Sequence, residues 1–213
     1  IGEAQLWPAS HKKAIIEDEE STIVHEATHV FDLLDWLTDL YPTRVFTAGG
    51  GNMDNIITLS YPEDIHAVVI SGDNSTAGFP KERLEIDTNH GTIVADGFFE
   101  LEAMLDRDDG LVRQRFAKDA EGRPCEMTRR QWLEAGWQWR RSITAEDRAG
   151  GYYYHRKKPF SIDKGHYAEL DHFRRAIESG APPETDVLRG AIAEMTAWRA
   201  VESWETGRPM DLD

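Results

Sequence analysis

The sequence predicts an α+β fold with an antiparallel β-sheet. Two observations lead to this prediction. Strand-like segments follow one another between residues 43 and 87, separated by turn residues and without helical periodicity. Helical periodicity precedes this run and is clearest again near the end of the chain. Because strands joined by short turns pair antiparallel, this order favours an antiparallel meander over a parallel sheet.

The first predicted helix covers residues 22–40. Its apolar positions recur at three- and four-residue steps, which is typical of a helix that packs one face on a core. They form the stripe Ile23, Ala27, Val30, Leu34 and Leu37. Three acidic residues lie off this stripe, namely Asp32, Asp35 and Asp39.

Strands are predicted at 43–48, 55–61, 65–71 and 83–87, followed by a hairpin of 98–105 with 111–116 around Asp108-Asp109-Gly110. The pattern weakens at 118–151, which is interpreted as an insertion with a short helix near Trp132. Two closing helices are predicted at 163–179 and 184–206, and they end at Gly180 and Gly207. Their apolar faces are predicted to be core: Tyr167, Leu170, Phe173 and Ile177 on one helix, and Val187, Ala191, Met195, Trp198 and Val201 on the other.

Length, composition and charge narrow the class of protein. The 213 residues, 40% of them hydrophobic, are enough for a substantial core, and we interpret 1–213 as one domain. A net charge of −15 argues against a nucleic-acid or membrane partner, because both partners are themselves negative. Cys125 is the only cysteine, which excludes an internal disulfide and fits a cytoplasmic protein.

The stretch His25-Glu26-Ala27-Thr28-His29 has the H-E-x-x-H spacing of zinc hydrolases. Histidines at i and i+4 lie on one face of a helix and can share a metal ion. The extended form of the motif fails, because Val30, Phe31 and Asp32 follow and no third ligand stands at a recognisable spacing. The alternatives left open are a zinc site formed by His25 and His29, or two polar histidines on a helix surface.

No nucleotide-binding fingerprint is present in the sequence: it contains neither a G-x-G-x-x-G after a strand nor a phosphate-binding loop with lysine. The chain starts at Ile1 without a methionine, as expected of a piece of a longer protein.

Five segments, in order along the chain, resemble the carboxy-terminal domain of the glucose-fructose oxidoreductase and inositol dehydrogenase (Gfo/Idh/MocA) family. They are Ile1-Gly2-Glu3, the pattern His29-x-x-Asp32-x-x-x-Trp36-Leu37, the run 78–86 with Gly91-Thr92-Ile93, the helix end 173–180, and the ending 205–209. The resemblance implies a large, mostly antiparallel open β-sheet with helices packed on one face, in a domain that normally follows an amino-terminal Rossmann domain. That missing domain binds NAD or NADP in the parent protein, so this chain is expected to bind no cofactor itself.

The resemblance also implies a site. In the family, a D-x-x-x-H pattern lies at the start of a helix. Its histidine acts as an acid or base on a sugar-type hydroxyl or carbonyl, and its aspartate orients that histidine. His29 falls on the histidine position, and His25 stands where the family has the aspartate. Lower-ranked candidates for contact with a small, polar, sugar-like substrate are His11, Lys12, Tyr154 and His166.

Three hypotheses therefore remain. The leading one is a substrate-binding and oligomerisation domain of an NAD(P)-dependent oxidoreductase acting on a sugar or cyclitol, inactive alone and assembled as a homodimer or tetramer through its sheet. The second is a zinc hydrolase that uses His25, Glu26 and His29. The third is a non-catalytic ligand-binding or dimerisation module.

Overall fold

The computed structural model describes residues 21, 23–49, 54–72, 82–107, 110–119, 122–149, 160–161 and 165–212. A π-helical turn, Ile23–Ala27, leads into the first α-helix, and a 3-10 turn, Pro62–Asp64, separates β2 from β3. The helices are α1 Thr28–Thr38, α2 Arg129–Ser142, α3 Ala145–Ala149, α4 His166–Ser179 and α5 Val187–Thr206. The longer strands are β1 Arg44–Gly49, β2 Asp54–Ser60, β3 His66–Gly72, β4 Arg83–Thr88, β5 Gly91–Asp96, β6 Glu100–Leu105 and β7 Leu111–Arg115. Three two-residue strands complete the set: β8 Lys118–Asp119, β9 Phe160–Ser161 and β10 Met210–Asp211.

The chain divides into two compact units, and the boundary between them passes through α4 after Asp171. The first unit contains the π-helical turn, α1, β1–β3, α5 and β10. Its sheet has the order β10-β1-β2-β3 with every pair antiparallel, and the register places Ile57 opposite both Thr47 and Val69.

The inner face of the first unit's sheet forms a core with α1 and α5. Val45, Ile57 and Leu59 are buried on alternate strand positions, as the period of two requires. The side of α5 that lies in this core carries small residues, which let the helix approach the sheet closely. These buried residues are Ala193, Thr196, Ala197, Ala200 and Ser203. Ser203 also receives a hydrogen bond from the Thr47 amide at 3.0 Å, which ties α5 to β1.

The predicted ends of α5 are close to those observed, but its predicted core face is wrong. The Asp186 carboxylate caps the first turn by accepting from the amides of Leu188 and Arg189, and Gly207 ends the helix at φ 65°. The stripe predicted from Val187 to Val201 is instead largely solvent-facing, with Val187 89% exposed and Trp198 53% exposed. Hydrophobicity alone predicts that the large apolar side chains of α5 are buried, whereas close packing on the sheet requires small ones.

The first predicted helix begins differently from a regular α-helix. The Ser21 hydroxyl accepts a hydrogen bond from the Ile23 amide, and the Ser21 carbonyl accepts one from Val24, so Ser21 satisfies amides that a helix start leaves unpaired. The next residues form the π-helical turn, and the α-helix proper starts at Thr28. The buried positions are Ile23, Ala27, Phe31 and Asp35, each four residues after the last. Asp35 therefore lies on the buried face, where the sequence pattern had placed it off the apolar stripe.

The second unit contains β4–β9, α2 and α3, together with the start of α4. Strands β4–β7 form an antiparallel meander in chain order. The predicted strand at 98–105 starts later, at Glu100, because Phe98 has a positive φ of 54° and lies in the turn after β5.

Region 118–149 contributes to the core of the second unit. The rings of Phe99 and Trp132 stack with centroids 4.8 Å apart, and Ala117 and Cys125 are buried beside them. Asp96, 4% exposed, pairs with both Arg83 and Arg129, so its buried charge is compensated.

The apolar face of α4 is not core, contrary to the prediction. Its four large residues are between 55% and 82% exposed, and Ala176 is the buried position among the described residues of this helix. The exposed four are Tyr167, Leu170, Phe173 and Ile177. The helix ends where predicted, before Gly180 at φ 70°.

The α+β class and the antiparallel pairing are thus confirmed. The longer strands are shared between two four-stranded sheets, whereas the sequence had suggested one large sheet. Within the described ranges, α5 is the longest helix at 20 residues, and no helix there combines the length and hydropathy needed to cross a membrane.

Candidate functional site

The two leading histidines lie at the start of α1, on its solvent side. His25 is in the π-helical turn and His29 is in the first turn of α1, and both are exposed. Each stands two residues after a buried position, Ile23 and Ala27, so each points away from the core of the first unit. Exposed imidazoles in this position can exchange protons with a ligand that approaches from solvent.

The π-helical turn bears on the zinc interpretation. A π-helix closes hydrogen bonds from i to i+5, so His25 and His29 do not have the regular α-helical spacing on which the H-E-x-x-H geometry depends. In the part of the chain that the structure describes, no three His, Cys, Asp or Glu side chains form a group that could hold a metal. The zinc interpretation therefore gains no support from these residues.

One of the four lower-ranked candidates is among the described residues. His11, Lys12 and Tyr154 lie outside the described residues. His166 is the exposed first residue of α4 and belongs to the second unit.

Sequence reasoning missed a buried polar pair on the other side of α1. Asp35 is 1% exposed, and its Oδ1 accepts a hydrogen bond of 2.9 Å from the hydroxyl of Tyr61, which is 4% exposed. Tyr61 immediately precedes the 3-10 turn between β2 and β3. One sequence signal was available, because Asp35 continues the four-residue spacing of Ile23, Ala27 and Phe31.

The environment of Asp35 disfavours its charged form. Burial, together with the negative charge of Asp32, raises the pKa of Asp35 to about 6, although the Tyr61 hydrogen bond and the Arg189 charge oppose this shift. The pKa of Tyr61 is raised as well, by burial and by the neighbouring Asp35 charge, so the phenol keeps its proton and acts as the donor. The pair therefore consists of a neutral phenol that donates a hydrogen bond and a carboxyl group whose pKa is about 6.

Arg189 lies beside this pair but is engaged with other acceptors. Its guanidinium donates to the Asp39 carboxylate at 2.8 Å and to the Asp35 backbone carbonyl at 3.5 Å, and it stands over the ring of Tyr41. The hydrogen bond to Asp39 raises the pKa of Arg189. This arginine joins the start of α5 to the end of α1, which helps to hold in place the helix that carries the histidines.

Comparison with known proteins gives matches among solved structures only. No protein-family model matches the chain, and no curated protein sequence does. A candidate dehydrogenase from Bordetella bronchiseptica RB50 is similar over 99% of this chain and 60% of its own, with 13% identity and a TM-score of 0.62. An oxidoreductase from Agrobacterium radiobacter, solved in complex with NAD+, L-tartaric acid and magnesium, is similar over 87% and 47%, with 16% identity and a TM-score of 0.56. An aldose-aldose oxidoreductase from Caulobacter crescentus, complexed with glycerol, is similar over 87% and 45%, with 12% identity and a TM-score of 0.54.

These similarities establish the fold. The three proteins are described as two oxidoreductases and a dehydrogenase, and at 12–16% identity the likeness shows a shared fold, as the resemblance implied. The chain spans about half the length of the solved proteins it matches.

Proposed function

We propose that this chain is the substrate-binding and oligomerisation domain of an NAD(P)-dependent oxidoreductase acting on a sugar or cyclitol-like substrate, and that it is inactive without a dinucleotide-binding domain. The observation that carries the proposal is the match of 87% or more of this chain to about half of each of several oxidoreductases. One of these was solved with NAD+ and a polyhydroxy acid, and another is named for aldoses. The lone, buried Cys125 is in keeping with a cytoplasmic setting.

The described residues do not fit a dinucleotide. Such a site requires a glycine-rich turn between a strand and the start of a helix in a parallel β-α-β unit. The glycine run of the sequence instead begins at Gly49, the last residue of β1, and the next strand, β2, pairs antiparallel with β1. We therefore assign no step in this chain to NAD or NADP and place that cofactor on the parent's other domain.

His29 is the proposed acid or base. An imidazole can take the proton of a substrate hydroxyl as it is oxidised, or return it to a carbonyl as it is reduced. Its exposed position on the solvent side of α1 leaves the imidazole accessible to a substrate. His25 lies in the π-helical turn before α1 and is also exposed. It is the proposed partner that orients His29 or contacts the substrate.

The first test concerns the cofactor. We expect calorimetric titration of the 213-residue chain with NADH or NADPH to give no heat of binding at micromolar concentrations. Micromolar affinity for either dinucleotide would contradict the assignment of the cofactor to another domain.

Self-association through a sheet has a specific candidate surface in the first unit. The outer face of its sheet carries Ile56 opposite Ile70, 50% and 70% exposed, and beside them Val68 at 63%. Exposed apolar side chains grouped in this way on a sheet face are typical of an interface. We propose this face as the contact between copies of the chain.

Replacing Ile70 with lysine should therefore dissociate the oligomer, because a charge in an apolar interface costs more than the contact returns. Light scattering coupled to size exclusion measures the mass directly. Val187→Lys is the matched control, since Val187 is 89% exposed but lies on α5, away from the sheet face. A wild-type protein that is monomeric at all concentrations, or an unchanged mass for Ile70→Lys, would refute this interface.

A further inference from the structure

Two carboxyl groups on α1, three residues apart, each have a buried oxygen without a hydrogen-bond partner in the described part of the chain. Asp35 is 1% exposed, and while its Oδ1 accepts from Tyr61, its Oδ2 has no donor. Asp32 is half-buried, and its Oδ1 is equally buried and unpartnered. Residues at i and i+3 are neighbours on a helix surface, so the two carboxyl groups lie on adjoining parts of α1.

A single proton can give both unpartnered oxygens a hydrogen bond. An ionised carboxylate only accepts hydrogen bonds, whereas a protonated one also donates. Protonation of Asp35 at Oδ2 supplies the donor that Asp32 Oδ1 lacks, and it removes one of two neighbouring negative charges from the interior. We propose that Asp32 and Asp35 hold one proton between them, with Asp35 Oδ2 as the donor and Asp32 Oδ1 as the acceptor.

The groups around Asp32 and Asp35 do not supply a donor to the two unpartnered oxygens, so we infer that the proton comes from solvent. From the turn after β2, Tyr61 donates its hydroxyl to Asp35 Oδ1. From α5, Arg189 donates to Asp39 and to the Asp35 backbone, and within the described ranges no cationic side chain forms an ion pair with the Asp35 carboxylate. Two charges act on the pKa of Asp35: the carboxylate of Asp32 raises it, and the charge of Arg189 lowers it by a smaller amount.

The pair makes the packing of α1 sensitive to pH. Because burial raises the pKa of Asp35 to about 6, the shared proton is present in weakly acidic solution and is lost as the pH rises through that value. Above it, the helix that starts at the two histidines holds neighbouring buried carboxylate oxygens that have no donor among the described residues. This device does not depend on the proposed enzymatic function.

Carboxyl-detected 13C NMR of the 213-residue chain tests the proposal. The resonance that is lost in Asp35→Asn identifies Asp35, and we expect its titration midpoint near pH 6. In Asp32→Ala the midpoint should fall by at least about one pH unit, because both the repulsion and the acceptor are gone. Asp64→Asn is the control, since that carboxylate is 98% exposed and screened by water.

Infrared spectroscopy separates proton sharing from simple burial. Donation to Asp32 weakens the C=O bond of protonated Asp35, so its stretch should move to higher frequency in Asp32→Ala. Asp32→Asn retains an acceptor oxygen and should keep the band near its wild-type position. An Asp35 midpoint near its ordinary value, or a midpoint and C=O band that do not change in Asp32→Ala, would overturn the proposal.

Discussion

Replacing Phe31 with alanine is expected to destabilise the first unit by about 3–5 kcal/mol, the usual cost of removing a fully buried aromatic side chain. Phe31 is 0% exposed and lies in the core formed by α1, α5 and the inner sheet face. Its loss removes apolar contact and leaves a cavity that rigid strands on one side cannot fill. Urea denaturation followed by tryptophan fluorescence measures the free energy of unfolding.

Leu33→Ala is the matched control for Phe31→Ala. Leu33 is on the same helix but 38% exposed, so its truncation should cost about 1 kcal/mol or less. Equal losses for the two variants would contradict the observed orientation of α1 and, with it, the position of the two histidines on the solvent side.

Replacing Asp35 with asparagine is expected to raise the stability of the protein at pH 8. The pKa of Asp35 lies near 6 when folded, against an ordinary value of 3.8, so the folded state binds more protons than the unfolded state between these values. Wild-type stability therefore falls as the pH rises from about 4 to 6, and the full cost applies above that window. At 1.36 kcal/mol per pH unit, the cost that asparagine removes is at most about 3 kcal/mol.

The change in unfolding free energy caused by Asp35→Asn should depend on pH. Chemical denaturation at pH 8 should show Asp35→Asn more stable than wild type, and the gain should shrink toward zero as the pH falls below 3.8, where the aspartate becomes protonated in the unfolded state as well. Asparagine keeps an oxygen that accepts the Tyr61 hydroxyl, so that hydrogen bond is retained. A variant less stable than wild type at pH 8 would mean that the ionised carboxylate stabilises the fold.

The sequence predicted the elements that local patterns determine. The strands near 43–48, 55–61, 65–71 and 83–87 are present within a residue or two, because alternating burial and turn residues define them. The ends of α4 and α5 are also as predicted, since Gly180 and Gly207 both adopt the positive φ that ends a helix.

The errors arise where side-chain size and tertiary contact outweigh hydrophobicity. On α5 the sheet selects Ala193, Ala197 and Ala200 for burial, and the larger Met195 and Trp198 are left outside. Asp35 is buried because Tyr61, 26 residues away in sequence, supplies its donor. Nothing in the local pattern of either segment specifies that contact.

The candidate site was predictable as residues but not as geometry. The H-E-x-x-H spacing and the resemblance both selected His25 and His29. Only the structure shows the π-helical turn, which makes the start of this helix differ from a regular zinc-binding helix. A π-helical hydrogen bond spans one residue more than an α-helical one, and this difference leaves no clear signature in the apolar periodicity of so short a segment.

The most direct test of the account is dinucleotide reduction by the protein encoded by the complete reading frame that contains this chain. We predict that wild-type protein reduces NAD+ or NADP+ when an aldose or an inositol is present, with no effect of a zinc chelator. His29→Ala should lower kcat by at least about 100-fold, the usual contribution of a general acid or base, and should remain folded because His29 is exposed. Absence of dinucleotide reduction by the wild type, or an unchanged rate for His29→Ala, would contradict the proposed function.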